Sequence, residues 1–231
     1  MFKFFKYYLC FFLTPLIYAQ QGGGNKYWSS VKLSYDFNKK LELNSTFSYR
    51  NTNLYETNGI LYQADLSYQL PCHLNITAAY RYSQTENYEH QLRTQNRFSA
   101  GFIFNIKIKG YRLSLESKYQ YGIKNQVKRN NPYPIEQYWR NEISVKKKVM
   151  KKTFIKAGAE FFMFNDRTLL NQYRGSIGLE KYFTKKYRIG FEYIYQCIYE
   201  NQASLHYNIF CMSHVLYLNE FSTKKKAKND D

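Results

Sequence analysis

The chain has 231 residues, with 34 Lys and Arg against 17 Asp and Glu and a formal net charge of +17. Its 25 Tyr and 18 Phe are too many for a disordered basic tail. No apolar run reaches the roughly 18 residues of a membrane-spanning helix, which excludes a helical membrane bundle. With 11 Gly and 4 Pro, collagen-like and proline-rich filaments are excluded as well.

The N-terminus predicts a secretory signal peptide. Two lysines precede an apolar stretch from Leu9 to Ala19, and polar Gln20 follows, as in a signal with a basic start, an apolar core and a small residue at the cleavage site. The apolar stretch is about half as long as a spanning helix, so a membrane anchor is the weaker interpretation. The expected organisation is a signal peptide over 1–19, a folded domain over 20–221 and a disordered basic tail over 222–231.

The dominant pattern of the mature chain is a strict alternation of apolar and polar residues. Between Tyr62 and Leu70, for example, every second residue is apolar. Eleven such stretches of roughly 9–12 residues predict strands long enough to cross a bilayer at a tilt. Phe162 breaks the alternation of its stretch, and residues 207–218 are apolar on both faces, so their sides cannot be assigned.

The connections between these stretches alternate in length. Short ones are centred near residues 39, 72, 107, 150 and 185, and long ones near 55, 87, 128, 167 and 202. This rhythm predicts an all-β, up-and-down antiparallel transmembrane barrel with short periplasmic turns and longer outer loops. Because bacterial single-chain barrels have an even number of strands and periplasmic termini, we expect about twelve strands, one of them not visible in the sequence, or a segment 20–26 that threads the lumen.

Alternation alone does not separate a membrane barrel from a soluble secreted barrel or sandwich. The membrane barrel is favoured by the placement of the aromatic residues and by the eight strand acids, which all fall on the polar faces. The aromatic residues of the apolar face gather at the strand ends: Tyr49, Tyr80, Tyr82, Tyr119, Tyr121, Trp139, Tyr193 and Tyr195 near the long connections, and Tyr35, Phe37, Tyr68, Phe104, Tyr111 and Tyr187 near the short ones. Two such girdles suit the two membrane interfaces. We therefore expect the cell outer membrane, with lipids and the barrel-assembly machinery as partners and a monomeric or weakly oligomeric protein.

Three segments resemble a known family. The stretch from Trp28 to Leu43, the segment Leu92 to Phe98 and the strand from Tyr187 to Tyr195 are similar to an outer-membrane β-barrel family of Bacteroidetes, domain-of-unknown-function family 2490. The resemblance covers nearly the whole mature chain. It implies the fold and the localisation and carries no catalytic signature. Barrels of this sort usually end on an aromatic residue, whereas Phe221 is followed here by a basic tail.

The polar faces of the strands carry the candidate site. Ten basic and eight acidic residues are predicted to face the lumen: Lys32, Arg50, Arg81, Arg97, Arg112, Lys118, Arg140, Lys156, Arg174, Arg188, Asp36, Glu42, Asp65, Glu116, Glu142, Glu160, Glu180 and Glu192. One interpretation is a narrow passive channel whose basic excess favours small polar or anionic solutes. The alternative is a closed structural barrel filled by ion pairs.

The other polar motifs predict no further site. Lysines crowd the short turns and the tail, as expected beside anionic headgroups, and no nucleic-acid-binding motif accompanies them. The cysteines Cys72, Cys197 and Cys211 lack the spacing of a zinc site or a disulfide framework, although Cys197 and Cys211 could pair across a hairpin. No metal or other cofactor is expected.

An enzyme is the least favoured class. Lipid-acting barrel hydrolases resemble one another in a His and a Ser two residues apart near the outer rim. Here Ser204 and His206 stand in the reverse order near a long connection, with Glu200 close by. A Ser–His–acid assembly would fit this spacing, and ordinary loop composition explains it equally well. We expect no enzymatic activity, with a lipid hydrolase as the alternative.

Overall fold

The computed structural model describes residues 24–53, 56–86, 92–125, 135–164, 170–200 and 203–219. The predicted signal peptide and basic tail lie outside them. No helix in this part of the chain is long and apolar enough to cross a membrane. The strands are β1 (Gly24–Asp36), β2 (Leu41–Asn53), β3 (Glu56–Gln69), β4 (Leu74–Glu86), β5 (Leu92–Ile108), β6 (Tyr111–Asn125), β7 (Ile135–Met150), β8 (Thr153–Phe164), β9 (Leu170–Tyr182), β10 (Tyr187–Glu200) and β11 (Ala203–Tyr217).

The eleven strands close into a barrel in which each strand pairs with its neighbours in sequence and β1 pairs with β11. The consecutive pairs are antiparallel, and the β1–β11 pair is parallel, with Val31 opposite His214. The all-β barrel is thereby confirmed. The expectation of about twelve strands is wrong, because the described residues form eleven and β1 pairs directly with β11. Residues 24–26 of the segment expected as an alternative to thread the lumen lie within β1, and residues 20–23 lie outside the described part of the chain. Strands that reverse direction in turn leave the first and the eleventh pointing the same way. The parallel seam lets this odd number close.

The two ends of the barrel differ in their connections. The end that holds the turns at 37–40, 70–73, 109–110, 151–152 and 183–186 is called the short-turn rim, and the opposite end the long-loop rim. At the long-loop rim, 87–91, 126–134 and 165–169 separate the strands, whereas only two residues lie between β2 and β3 and between β10 and β11. The prediction of long connections near 55 and 202 is therefore wrong, because the strands on either side extend to within two residues of each other. Since β1 runs toward its turn at 37–40, the chain enters the barrel at the long-loop rim.

The turn between β5 and β6 illustrates how the hairpins are closed. Lys109 and Gly110 have φ values of 46° and 83°, and Ile108 pairs with Tyr111 across the turn. Two consecutive residues with positive φ form the type I′ turn, whose twist matches that of the flanking strands. The turn lies two residues beyond the predicted centre at 107.

The outer surface exposes large apolar side chains from one rim to the other. Ile76 and Leu115, in the central band, are 51% and 38% exposed, and Tyr35, Tyr68 and Trp139 are exposed toward the rims. The alternate residues turn inward. Phe162, which breaks the pattern of β8, is buried at 6% exposure, because its even position places it on the lumen side. In β11, Ile209, Val215 and Tyr217 are buried on the lumen side, which settles the faces of residues 207–218.

A close approach of two strands depends on Gly101. It pairs with Lys118 of β6, and a Cβ atom on Gly101 would lie 2.1 Å from the Ser117 carbonyl oxygen and 2.7 Å from the Lys118 Cα. Both atoms are backbone, so a side chain on this residue would displace β6 itself. The β5–β6 contact therefore requires a glycine.

Candidate functional site

The charged residues predicted to face the lumen all lie on the strand side opposite the exposed apolar residues. They lie in four groups. These are an ion-pair network in the middle, a smaller cluster nearer the short-turn rim, a hydrogen-bonded wall opposite the network and a group of arginines toward the long-loop rim.

The middle of the lumen holds an ion-pair network on the wall formed by β6 to β9. Arg140 lies at its centre: its Nη2 is 2.9 Å from Glu160 and 3.0 Å from Glu142, and its Nη1 is 3.7 Å from Glu116. Three further pairs extend it, Lys118–Glu116 at 2.8 Å, Lys156–Glu142 at 3.3 Å and Arg174–Glu160 at 3.3 Å. Each carboxylate thus serves two cations, which is how buried charges are satisfied.

A second cluster lies nearer the short-turn rim. The Glu180 carboxylate is 2.8 Å from both Arg188 and Lys146. Lys146 had not been assigned to the lumen from the sequence, although its even position on β7 matches those of Arg140 and Glu142. The Lys146 ammonium also lies over the Phe154 ring, 4.3 Å from its centre.

The opposite wall is bridged by hydrogen bonds. Arg81 donates from Nε to Gln63 at 2.6 Å, and Gln63 donates in turn to Asp65 at 2.7 Å. Ser34 donates to Glu42 at 3.0 Å. Among the described residues, Lys32, Arg50, Arg81 and Glu192 have no oppositely charged side chain within 4.0 Å. Arg112 and Asp36 lie on the same lumen face.

Toward the long-loop rim, arginines lie over aromatic rings. The Arg50 guanidinium is 4.1 Å from the centre of the Trp28 ring, and the Arg174 guanidinium is 4.8 Å from that of Phe162. The Arg97 guanidinium lies 5.1 Å from the Tyr138 ring centre. These cation–π contacts hold the guanidinium groups without neutralising them. The sequence analysis did not identify these inward rings. Trp28 could have been identified, because it has the same even position on β1 as the inward Lys32.

Along β2 to β6, in the half of the barrel toward the long-loop rim, lies a cavity of about 210 Å³ whose lining includes Arg50, Arg81, Arg93, Arg97 and Lys124. We call these five residues the basic vestibule. Glu136 lies beside it and forms ion pairs with Lys124 and, at 3.8 Å, with Arg97. Gln95 of the lining donates to the same carboxylate at 2.8 Å. Five cations facing one described carboxylate make the cavity strongly positive. Arg93 and Lys124 were not predicted site residues.

The cysteines form no disulfide: Cys72, Cys197 and Cys211 are free. In the register of β10 and β11, Cys197 lies opposite His206 on the outer face and is buried at 1% exposure. Cys211 lies opposite Glu192 on the lumen side. The pairing left open for Cys197 and Cys211 is therefore excluded by their opposite faces. In the described part of the chain, no group of three or more His, Cys, Asp or Glu side chains is placed to hold a metal ion.

The serine and histidine noted near the last hairpin do come together. Ser204 Oγ lies 2.9 Å from His206 Nε2, and Tyr195 OH lies 2.7 Å from His206 Nδ1. The side chain of Glu200, the acid suggested by the sequence, is outside the described residues. Tyr195 therefore occupies the place next to the second ring nitrogen, on the outer face of the barrel.

Comparisons with known proteins assign no activity. The model of a family described as "Protein of unknown function (DUF2490)" matches residues 25–206. No curated protein matches the chain. Among solved structures, the chain is similar to the β domain of the Bordetella autotransporter BrkA, with 6% identity over 75% of this chain and 82% of that chain and a TM-score of 0.46. At this identity and TM-score, nothing about function carries over from it.

Proposed function

The chain belongs to the DUF2490 family, whose function is unknown, and we propose that it is an outer-membrane β-barrel that admits small anionic solutes through its basic vestibule. The observation that carries this proposal is the cavity of about 210 Å³ lined by Arg50, Arg81, Arg93, Arg97 and Lys124. A cluster of like charges at one end of a lumen raises the local concentration of ions of opposite sign.

The membrane setting rests on strand length and on the outer surface. The shortest strand has 12 residues and the longest 17, so each exceeds the roughly 9–11 residues that cross a bilayer at a tilt. The outer face exposes aliphatic and Phe side chains such as Ile76, Leu115 and Phe191. A soluble protein would not expose a continuous apolar belt of this kind.

Part of the charge of the vestibule is available to a ligand, although Arg97 and Lys124 pair with Glu136. Arg50 and Arg81 have no carboxylate within ion-pair distance among the described residues, and Arg50 is held by the face of Trp28 instead. Planar guanidinium groups bind phosphate and carboxylate groups through paired hydrogen bonds. The vestibule therefore suits small phosphorylated or carboxylated solutes.

A closed structural barrel is the second candidate, and the ion-pair network favours it. Arg140 and its three carboxylates occupy the middle of the lumen below the vestibule, and Lys118, Lys156 and Arg174 complete their pairing, as in a barrel whose interior is filled by ion pairs. In that case the vestibule binds an anion without conducting it. The two candidates differ in conductance, which makes them separable.

The test is single-channel recording of the folded protein in a planar bilayer under a KCl gradient. A heat-sensitive shift in gel migration first establishes a folded sample. We expect open steps with a reversal potential that indicates anion preference. The double variant Arg81→Gln with Arg97→Gln should reduce that preference by about twofold or more, because two of five vestibule charges are removed.

Lys185→Gln is the matched control, because it removes one positive charge from an exposed turn outside the lumen and should leave the selectivity unchanged. A folded barrel that never conducts contradicts the channel and supports the closed barrel. Conductance that prefers cations contradicts the role of the vestibule.

A further inference from the structure

The hairpin of β10 and β11 brings a serine, a histidine and a tyrosine together on the outer face of the barrel. Ser204 Oγ and His206 Nε2 are 2.9 Å apart, and His206 Nδ1 and Tyr195 OH are 2.7 Å apart. The imidazole thus contacts a hydroxyl through each of its nitrogens. A nucleophile, a base within hydrogen-bond distance and a third group that orients the base form the general arrangement of nucleophilic catalysis.

We propose that Ser204 and His206 form the nucleophile and general base of a hydrolase that cleaves ester-linked acyl chains of lipids, with Tyr195 as the positioning residue. In the reactive tautomer, Nδ1–H donates to the Tyr195 oxygen, and Nε2 accepts the proton of the Ser204 hydroxyl. Tyr195 thereby fixes which nitrogen is free to act as the base.

The chemistry balances without a co-reactant other than water. Ser204 Oγ forms a bond to the acyl carbon while its proton moves to His206 Nε2, and the ester C–O bond breaks as that proton passes to the departing alcohol. Water then attacks the acyl-serine through the same base, releasing the fatty acid and restoring the hydroxyl. No electron is gained or lost.

The position of the pair indicates a lipid substrate. Ser204 is exposed and lies opposite Tyr199, which is 48% exposed, and the outward positions that follow on β11 include Phe210 and Met212. Ser204 is the second residue of β11, so it sits at the long-loop rim, where the tyrosine girdle marks the membrane interface. The ester groups of membrane lipids lie in the same interfacial layer. The Ser204 hydroxyl and the ester group of a lipid thus lie at the same depth in the membrane, on the lipid-facing side of the barrel.

A second histidine on β11 shows what distinguishes this site from an ordinary polar contact. His214 Nδ1 lies 2.8 Å from Tyr187 OH, with the two rings stacked at 6.1 Å, so the His–Tyr pair recurs at the short-turn rim. The neighbouring serine there, Ser213, faces the lumen and donates to the Gly190 carbonyl. Only the pair at the long-loop rim, within the described residues, adds a hydroxyl at Nε2.

The packing around Tyr195 holds its hydroxyl in place. Its ring stacks on the His206 ring at 5.9 Å, and the Tyr173 ring lies 6.3 Å away on the other strand. Cys197, buried at 1% exposure, lies between them in the sheet, opposite His206 on one side and Tyr173 on the other. A positioned second ring nitrogen is what keeps a general base aligned with its nucleophile.

The test uses the folded full-length protein in detergent, a biotin-linked fluorophosphonate as the probe of the serine, and mixed micelles of detergent and dioleoyl phosphatidylethanolamine as the substrate. We expect labelling and oleate release from the wild-type protein. Ser204→Ala should abolish both, and His206→Asn should reduce both by about 100-fold or more. Tyr195→Phe should lower kcat about 10-fold with KM nearly unchanged, because it alters the alignment of the base and not lipid binding.

His214→Asn is the matched control, since it removes the equivalent His–Tyr contact where no serine lies on the outer face beside the histidine, and it should label and turn over as the wild type does. The heat-sensitive gel shift confirms that every variant is folded. Folded wild-type protein that neither labels nor releases oleate overturns the proposal, as does labelling that survives Ser204→Ala. Because the pair lies outside the lumen, Ser204→Ala should leave the conductance unchanged, so the two proposals fail independently.

Discussion

At the scale of single residues, Arg140 forms more ion pairs than any other described residue of the lumen. It contacts Glu142, Glu160 and Glu116 at 3.0, 2.9 and 3.7 Å, and these carboxylates are only 14–20% exposed. Removing one partner of a buried charge pair leaves the other charge uncompensated, which costs far more than the pair itself contributes. The free-energy cost of removing Arg140 therefore depends on whether water reaches the carboxylates in the lumen.

Arg140→Gln should lower the free energy of unfolding by about 3–5 kcal/mol, because three carboxylates lose their shared cation. The measurement is denaturant unfolding of the detergent-folded protein. Adding Glu160→Gln to Arg140→Gln should not restore stability, because Glu160 is also the carboxylate partner of Arg174 and its removal leaves that buried guanidinium unpaired.

Lys185→Gln in an exposed turn serves as the control and should change stability by less than about 0.5 kcal/mol. If Arg140→Gln costs under about 1 kcal/mol, the value typical of solvent-exposed pairs, the carboxylates are hydrated and the middle of the lumen is filled with water. That result would contradict the closed barrel.

At the scale of strands, the alternation of apolar and polar residues predicts which face of a strand each side chain occupies. It does not predict how the first and last strands pair. The face of Arg140 or Glu160 follows from its neighbours alone, because the side-chain period of a strand is two. The parallel seam between β1 and β11 does not, since it depends on how the whole ring closes. Inward rings such as Phe162 and Tyr138 were missed for a different reason: they are apolar residues on a polar face, packed under guanidinium groups contributed by other strands.

The pairing of β5 with β6 gives a sharp test at this scale. Gly101→Ala places a methyl group 2.1 Å from the Ser117 carbonyl oxygen, so it should cost at least about 2 kcal/mol of unfolding free energy or prevent the barrel from forming. Denaturant unfolding and the gel shift report the two outcomes.

Gly175→Ala is the matched control, because an added Cβ on Gly175 meets no atom within 4 Å. It should be neutral or slightly stabilising, since alanine restricts the unfolded chain more than glycine does. Equal effects of the two substitutions would contradict the close approach of β5 and β6.

At the scale of the whole molecule, the odd number of strands places the start of β1 and the end of β11 at opposite rims of the barrel. β1 begins and β11 begins at the long-loop rim, and both run to the short-turn rim. In the proposed orientation, the long-loop rim faces outward and places the basic vestibule and the Ser204–His206 pair at the cell surface. The start of β1 then lies on the opposite side of the membrane from the short turns, unlike in an even-stranded barrel.

The most direct test of the membrane-spanning, outward-facing barrel is the accessibility of epitope tags in cells. One tag is placed just ahead of Gly24, one in the connection 126–134 and one in the turn 183–186. We predict that antibody reaches the first two in intact cells and the third only after the outer membrane is permeabilised. Recovery of the protein in the soluble fraction, or labelling of all three tags only after permeabilisation, would contradict the account.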